Sequence, residues 1–485
     1  MKYYLATPIY YVNAEPHIGH TYTTLLADVI ARYKRLEGRD VYFLTGTDEH
    51  GTKIARKAKE NQKQPQEFCD QITQKFKKTW QNYNFGHDQF IRTTSSKHIS
   101  GAQKLFSALK DKGDLYQKEY QGLYCTGCES FKTEKELDQK GLCPDHKKKP
   151  GLVKEKNYFF KLSKYLKPLK QAIEKDQLII QPVERKNEVL GLFEQGINDF
   201  SVSRSSQNVN WGIDVPFDKK QKIYVWVEAL MNYITALDYG KAGAEANLFK
   251  KYWPVDVHFM AKEIIKFHAI FFPAILMSLR MKVCKKIFVH GYFTINGEKM
   301  SKSLGNVIEP NSLIKTWGVD PARYLLLSQF ASDSDGDISL KKLKQDYDHK
   351  LADNLGNLLQ RTLVMINKNG FDFKLKQVNP FKKPQAYDFR DFDLPLFLKL
   401  LDNIQVYQAI KQLDGFISKS NQYLEINKPW ELANKNPAKC REILKQIFDR
   451  LTLIARLFEP VMPQISAKMI KQLENKQPQV IFKKI

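Results

Sequence analysis

The chain has 485 residues, 42% of them hydrophobic and 12% aromatic, which excludes an intrinsically disordered protein and leaves room for about three domains. Its formal net charge of +24 suits a polyanionic partner, although a lysine excess also follows from a biased genome composition and does not decide the point. No apolar run could span a bilayer, and the chain opens on a strand-like stretch without a signal peptide, so we expect a cytoplasmic protein without membrane contact.

The first pattern along the chain is a strand, a turn and a helix. Residues 2–10 read as a strand, and apolar residues recur at helical spacing from Thr21 onward. His17 and His20 therefore lie beside a helix start, where free N–H groups and the helix dipole favour phosphate. Gly19, between them, lets a nucleotide approach the backbone. The alternation continues to about residue 112 and predicts a parallel sheet with crossover helices.

Residues 113–222 interrupt this alternation and contain three of the six cysteines. Cys125 and Cys128 form one C-x-x-C pair, and Cys143 and His146 form a second pair at the same spacing. Three thiolates and one imidazole fit a tetrahedral Zn²⁺ site, which is expected to be structural because protein fills every position. The alternative is a set of lone reactive cysteines. The other cysteines are scattered and are expected to be buried thiols.

The alternation resumes at residues 223–227, where a further strand is expected, and continues through strands at residues 255–260 and 286–291. This part reads as the second half of a nucleotide-binding sheet, whose site lies at the carboxyl ends of its strands. A polar, glycine-flanked loop with Lys299 and Lys302 follows. Mobile ammonium groups in such a loop can close over the β- and γ-phosphates of a nucleotide in the transition state.

The last part of the chain is helical, because leucine and isoleucine repeat at helical spacing from about residue 350 to residue 470. The sequence thus predicts five segments: half of a Rossmann-type catalytic sheet at 1–112, the insertion at 113–222, the other half at 223–290, a linker with the lysine loop at 291–349, and a helical domain at 350–485.

Two signatures in this order, His17-Ile18-Gly19-His20 and Lys299-Met300-Ser301-Lys302-Ser303, resemble the paired signatures of class I aminoacyl-tRNA synthetases. Together with Thr45-Gly46-Thr47-Asp48-Glu49-His50-Gly51, they make the chain similar over nearly its whole length to methionyl-tRNA synthetases of the short form with one zinc knuckle. The resemblance implies an α/β fold, a class I Rossmann-type parallel sheet split by the zinc-knuckle insertion, followed by an all-α anticodon-binding bundle. It also implies ligation of L-methionine to tRNA(Met) with ATP, for initiation and elongation of protein synthesis.

The resemblance also assigns roles in the site. Asp48 would pair with the methionine ammonium group, while His17, His20, Lys299 and Lys302 would act on the phosphates of ATP, which enters with Mg²⁺. The residues expected to contact ATP are Tyr11, Asn13, His17, Gly19, His20, Glu263, Lys299 and Lys302. The residues expected around methionine are Ile9, Tyr11, Asp48, Trp226, Ala229, Leu230, Tyr233, Ile264 and His268. A polarizable thioether suits an aromatic box with a hydroxyl or imidazole donor at its end.

The helical domain carries residues that resemble the anticodon readers of the family. Asn357 and Arg361 are four residues apart and share a helical face, and Trp430 stands at a predicted helix start, where it can stack an unpaired base. The expected partner is tRNA(Met). The chain leaves no length for the appended RNA-binding barrel that makes some relatives dimeric, so a monomer is expected.

Three positions depart from the family pattern. Glu228 and Glu263 stand where aspartate is usual, and Ala261 stands where glycine is usual. The longer carboxylates are expected to reach the ribose hydroxyls or local partners, while Ala261 leaves less room beside the nucleotide.

Three alternative functions are compatible with parts of this pattern. Class I synthetases for valine, isoleucine and leucine carry an editing domain for which this chain has no room, and cysteinyl synthetases hold zinc inside the catalytic pocket. A synthetase-like tRNA-binding protein without catalysis is disfavoured by the intact signatures. A small-molecule nucleotidyltransferase of the same split fold is disfavoured by the helical domain and the zinc insertion.

Overall fold

A computed structural model describes residues 1–125, 127, 129–132, 134–144, 147–239, 247–295, 297–299 and 308–484. The chain first alternates strands and helices in the order β1 (Lys2–Tyr11), α1 (Ile18–Leu36), β2 (Asp40–Asp48), α2 (Thr52–Glu60), α3 (Pro65–Asn82), β3 (Gln89–Arg92) and α4 (Ser96–Asp111). The next segment contains β4 (Leu115–Cys125), β5 (Ser130–Lys132), a 3-10 turn (Glu134–Glu136), β6 (Gly151–Phe160), α5 (Ser163–Glu174), β7 (Ile179–Gln181), α6 (Val183–Glu194), β8 (Phe200–Ser201), β9 (Ser203–Ser205), β10 (Asp214–Val215) and β11 (Asp218–Ile223).

The alternation then resumes with α7 (Val225–Leu230), α8 (Asn232–Thr235), α9 (Asn247–Tyr252), β12 (Val257–Ala261), a 3-10 turn (Lys262–Ile264), a π-helical turn (Phe267–Phe271), α10 (Phe272–Ser278), β13 (Lys286–His290), β14 (Phe293–Ile295), β15 (Glu298–Lys299), α11 (Pro310–Trp317), α12 (Val319–Leu327) and β16 (Gly336–Ile338). The remainder is helical: α13 (Leu340–Asp346), a π-helical segment (Tyr347–Gly356), α14 (Asn357–Lys368), a 3-10 turn (Pro384–Ala386), α15 (Leu394–Asp402), α16 (Val406–Asn427), α17 (Pro429–Lys435), α18 (Pro437–Leu457) and α19 (Pro463–Asn475). Among the described helices, none has the length and apolarity needed to cross a membrane.

The centre of the fold is a parallel six-stranded sheet in the order β3-β2-β1-β12-β13-β7. Side chains of β1 alternate between its two faces: Leu5 joins one hydrophobic core, and Tyr4 and Ala6 join the other. The first core continues through α1 and α3 into the helical C-terminal domain, and the second packs against α4, α7 and α10. The expected α/β fold with a parallel sheet and a helical C-terminal domain is therefore confirmed.

The functional cleft originates where β1 separates from β12. These strands pair only at Leu5 with Val257 and at Ala6 with His258, whereas β1 continues to pair with β2 as far as Tyr11. A register shift in β1 between Ala6 and Ile9 contains Pro8, which has no N–H to donate to a neighbouring strand. Beyond Ala6 the carboxyl ends of β1 and β12 are free to diverge, as at the switch point of doubly wound sheets.

The insertion is partly integrated into this sheet. Most of its strands form antiparallel sheets of their own, with the order β5-β4-β6-β8 in one and β10-β11-β9 in another. Ile179–Gln181, however, pairs in parallel with β13 at the sheet edge. The strand expected at residues 223–227 was wrong, because β11 ends at Ile223 and α7 begins at Val225. A short apolar run does not distinguish a buried strand from a buried helix.

A buried arginine joins the sheet domain to the helical domain. Arg323 of α12 donates to the Asp28 carboxylate in α1 at 2.7 Å and to the carbonyls of Val461 and Pro460, between α18 and α19, at 2.8 and 3.0 Å. Burial raises the pKa of Asp28, but Arg323 and Arg32 lower it below its ordinary value. Asp28 lies in the helix that begins beside His17, so this ion pair connects that helix to the C-terminal domain.

Candidate active site

A cavity of about 560 Å³ opens where β1 and β12 diverge. Its wall contains residues from the carboxyl ends of β1, β2 and β12, from α7 and α8, and from the segments that follow β12 and β13. The expected site residues that line it are Ile9, Tyr11, Asn13, His17, Gly19, His20, Asp48, Trp226, Ala229, Leu230, Tyr233, Glu263, Ile264 and His268. The structure thus brings the residues expected around methionine and most of those expected to contact ATP into one cavity.

One end of the cavity contains the start of α1, as the sequence predicted. His17 is the N-cap, and its Nδ1 accepts the Gly19 N–H at 3.1 Å. His20 Nδ1 accepts the His17 N–H at 3.4 Å, and the two rings stack with centroids 3.8 Å apart. Because each Nδ1 accepts, the proton of each neutral ring is on Nε2, which is then a donor. With the helix dipole, this end favours an anion.

The wall of the cavity also contains Asp48, the last residue of β2. Its Oδ1 is buried and has no hydrogen-bond partner among the described residues. Burial raises the pKa of the Asp48 carboxyl well above its ordinary value, and the nearby Glu228 carboxylate adds to this effect. A buried carboxylate oxygen without a partner is costly unless a donor or a cation pairs with it. An ammonium group in the cavity meets that need.

Tyr11 closes the cavity beside Asp48. Its hydroxyl donates to the Glu129 carboxylate of the insertion and lies 3.1 Å from the His50 carbonyl. Gly51 has φ +108°, and a Cβ there would lie 2.6 Å from the Tyr11 hydroxyl, so no other residue fits without moving the tyrosine. Glu129 also accepts the Lys53 N–H at 2.8 Å. The insertion therefore holds a residue of the cavity wall in place, although the described residues that line the cavity all lie outside the insertion.

The apolar end of the cavity is an aromatic box with a polar base. Trp226 stacks on Phe267 with ring centroids 4.3 Å apart. Tyr233 and His268 are joined at 2.8 Å through the hydroxyl and Nε2. His268 Nδ1 lies 3.0 Å from the Ile264 carbonyl, which can only accept, so Nδ1 bears the proton and Nε2 accepts the Tyr233 hydroxyl. Burial lowers the pKa of His268 to about 4, which keeps the ring neutral.

The departures from the family pattern have different surroundings. Glu263 and Ala261 line the cavity beside the end of β12. Glu228 is fully buried and bonds local partners instead, with His50 Nδ1 at 2.9 Å and His98 Nε2 at 2.8 Å. The expectation that it reaches the ribose or local partners is resolved in favour of local partners.

Several expected residues cannot be placed by their side chains. Lys302, Cys128 and His146 lie outside the described residues, and Lys299 is described only as part of β15. Their roles stay predictions.

Sequence reasoning missed several residues of the wall. His290 and Tyr292 line the cavity after β13, and Thr23 of α1 lies 2.7 Å from His290 Nε2. His290 could have been predicted as a site residue, because it lies at the carboxyl end of the strand expected at residues 286–291, just before the second signature. The contact of Glu129 with Tyr11 had no local signal, since 118 residues separate them.

The residues expected to read an anticodon lie on the helical domain. Asn357 and Arg361 lie one turn apart on α14, and the Arg361 guanidinium is 5.4 Å from the Trp430 ring centroid. Trp430 is exposed, and Glu425 pairs with Arg361 at 2.7 Å. An exposed aromatic ring beside a guanidinium suits base stacking.

Comparison with protein families agrees with this site. A model described as class I tRNA synthetases (M) matches residues 3–151 and 143–363, and one described as the anticodon-binding domain of methionyl tRNA ligase matches residues 392–483. The split parallel sheet and its cleft are therefore the catalytic core of a class I aminoacyl-tRNA synthetase.

Comparison with individual proteins shows which class I synthetases this chain resembles. The methionine–tRNA ligase of Thermotoga maritima is 40% identical over 489 residues, covering 98% of this chain and 75% of that protein. That of Clostridium perfringens is 43% identical over 484 residues, covering 98% and 73%. The Mycobacterium tuberculosis methionyl-tRNA synthetase in complex with methionyl-adenylate superposes with a TM-score of 0.88 at 32% identity, covering 100% of this chain and 97% of that chain. This chain belongs to the methionyl-tRNA synthetase family.

The buried histidines predict a pH-dependent stability. Burial lowers the pKa of both His268 and His290 to about 4, whereas an unfolded histidine titrates near 6.5. As pH falls from about 6.5 to 4 the unfolded chain binds protons that the folded chain does not, so each histidine costs up to about 1.4 kcal/mol of stability per pH unit.

Urea unfolding between pH 7 and pH 5 tests this expectation. His290→Asn should reduce the pH slope of the unfolding free energy by close to one proton relative to the unsubstituted protein. An unchanged slope would show that His290 is not held neutral in the folded state.

Proposed function

We propose that this chain is a methionine–tRNA ligase, which joins L-methionine to ATP as methionyl-adenylate and then transfers methionine to the 3′ end of tRNA(Met). The observation that supports this most is the cavity, which combines a buried carboxylate oxygen without a partner, an aromatic box and a helix start with two histidines. These three features match an ammonium group, a thioether and a polyphosphate.

The first step needs alignment rather than a protein nucleophile. The methionine carboxylate attacks the α-phosphate of MgATP, and pyrophosphate leaves. Asp48 pairs with the ammonium group, and Tyr233 with His268 forms the polar base of the box around the sulfur. Ile9, Tyr11, Trp226, Ala229, Leu230 and Ile264 supply the rest of that wall.

Charge that develops on the phosphates is met at the other end of the cavity. His17 and His20 donate from Nε2, Gly19 admits the nucleotide to the helix start, and Asn13 and Glu263 lie at the wall for the adenosine part. Lys299 and Lys302 are assigned to the departing pyrophosphate. The terminal ribose hydroxyl of the tRNA then attacks the carbonyl of the adenylate and releases AMP.

The helical domain is assigned to tRNA binding, through Asn357, Arg361 and Trp430. The segments 1–112, 113–222, 223–290, 291–349 and 350–485 are retained as the working division of the chain. A monomeric cytoplasmic enzyme remains our proposal for its state and location.

Asp48→Asn tests the proposed amino-acid site. The variant should raise the KM for methionine in pyrophosphate exchange by about 30-fold or more, because breaking a buried charge pair costs about 2–5 kcal/mol. The KM for ATP should stay within about twofold.

Asp70→Asn is the matched control, because Asp70 pairs with Arg92 at the surface and does not line the cavity. It should leave both constants unchanged. An unchanged methionine KM in Asp48→Asn, with charging of tRNA(Met) intact, would contradict the assignment.

A structural Zn²⁺ in the insertion is part of the proposal. Cys125 and Cys143 are buried, and the residues four positions further on, Glu129 and Lys147, have left-handed φ values of 52° and 50°. The Lys147 N–H donates to the Cys143 carbonyl at 2.8 Å. Two buried thiols at these positions support the proposed ligands Cys125, Cys128, Cys143 and His146.

Elemental analysis of the purified protein tests the zinc site. One equivalent of zinc is expected, and Cys143→Ser should lose most of it. Cys69→Ser, at a buried thiol in α3, should keep the full equivalent. Full zinc in Cys143→Ser would refute the site.

A further inference from the structure

Glu228 connects three elements that build the amino-acid pocket. It lies in α7, fully buried, while its neighbours Trp226, Ala229 and Leu230 line the cavity. Its two carboxylate oxygens bond different rings: Oε1 lies 2.9 Å from His50 Nδ1 and Oε2 lies 2.8 Å from His98 Nε2. The side chain thus fixes the position of α7 from two directions.

The His50 contact leads to the ammonium end of the cavity. His50 follows β2, and its carbonyl lies 3.1 Å from the Tyr11 hydroxyl, which donates to Glu129. Its backbone N–H also interacts with the Asp48 carboxylate. A displacement of His50 therefore displaces a neighbour of the Tyr11 hydroxyl and the donor to Asp48.

The His98 contact leads to the side-chain end. His98 belongs to α4, and its Nδ1 lies 2.8 Å from the Thr235 hydroxyl of α8. The same short helix carries Tyr233, the polar base of the aromatic box. Because His98 and Thr235 are both fully buried, neither can exchange this partner for water without rearrangement.

We propose that Glu228 is a positioning residue that sets the distance between the Asp48 carboxylate and the aromatic box, and so determines the side-chain length that the pocket accepts. The inference rests on the proposed function. A carboxylate one methylene shorter cannot hold both imidazoles unless α7 moves by about the length of one C–C bond, about 1.5 Å. Such a shift changes the depth of the box relative to the ammonium anchor.

The experiment compares two substitutions. Glu228→Asp shortens the side chain and keeps its charge, whereas Glu228→Gln keeps the length and removes the charge. Glutamine can bond both rings, because its oxygen accepts from His50 and its NH₂ donates to the other tautomer of His98. Amino-acid-dependent pyrophosphate exchange is measured with methionine and with ethionine, the analogue with one more methylene.

The expected result is a change in selectivity rather than a uniform loss. Glu228→Asp should change the ratio of kcat/KM for methionine over ethionine by about tenfold, since one methylene in an apolar pocket is worth about 10- to 200-fold. Glu228→Gln should keep that ratio within about twofold, and the KM for ATP should stay unchanged in both. Thr235→Val, which breaks only the His98 arm, should change the ratio in the same direction as Glu228→Asp but less.

Controls separate positioning from stability. Asp414→Asn removes the charge of a half-buried carboxylate in the helical domain, which accepts from Tyr324 of α12 and does not line the cavity, so the variant should keep the ratio even if its melting temperature falls. Equal losses of kcat/KM for both amino acids in every Glu228 variant, or no change in Glu228→Asp, would overturn the inference. Absence of methionine-dependent exchange in the unsubstituted protein would instead overturn the proposed function, and this inference with it.

Discussion

Four carboxylates are buried around the carboxyl end of β2, and the pocket depends on how each of them is paired. Glu49 takes a bidentate contact from Arg92 at 2.7 and 2.9 Å. Glu228 is held by two histidines, and Glu129 accepts from Tyr11 and from the backbone of Lys53. Of these four carboxylates, Asp48 alone has a buried oxygen for which the described part of the chain offers no hydrogen-bond partner. Like charges placed so closely repel one another, so a cation is most favoured at Asp48.

The cavity is polarised by this arrangement. Asp48 and Glu263 are the carboxylates that line the cavity, and the start of α1 with its two imidazole donors belongs to the same wall. An amino acid and a nucleoside triphosphate together have the complementary charges, because the amino acid has an ammonium group and the nucleotide has a polyphosphate. In the proposed reaction this one cavity holds the amino-acid carboxylate and the α-phosphate together, and such alignment is worth several kcal/mol of the barrier. The fold provides the space because β1 and β12 pair for only two residues before they separate.

Much of this site could be predicted from the sequence because its chemistry is carried by short segments. His17, Gly19 and His20 are close in the chain, and their place at a helix start follows from the apolar spacing that comes after them. Asp48 belongs to the short motif Thr45–Gly51, and its role came from the family resemblance. The residues around the thioether came from the family resemblance, since residues such as Trp226 and Tyr233, taken without the family, are more often core residues.

Contacts between distant segments could not be predicted in the same way. The bond between Glu129 and Tyr11, the bridge from Glu228 to His98 and the edge strand Ile179–Gln181 depend on tertiary packing, which leaves no periodic trace in a single sequence. The error at residues 223–227 has a related cause, because a buried helix and a buried strand can have the same apolar composition over five residues. The supports of the site were therefore harder to predict than the groups that face the substrate.

The most direct test of the central claim is pyrophosphate exchange into ATP, measured without tRNA for each of the twenty amino acids. We expect exchange with methionine alone, because only methionine has a side chain that matches the aromatic box while its ammonium group pairs with Asp48. Exchange with a different amino acid would contradict the pocket, and no exchange from a folded, zinc-containing protein would contradict catalysis itself.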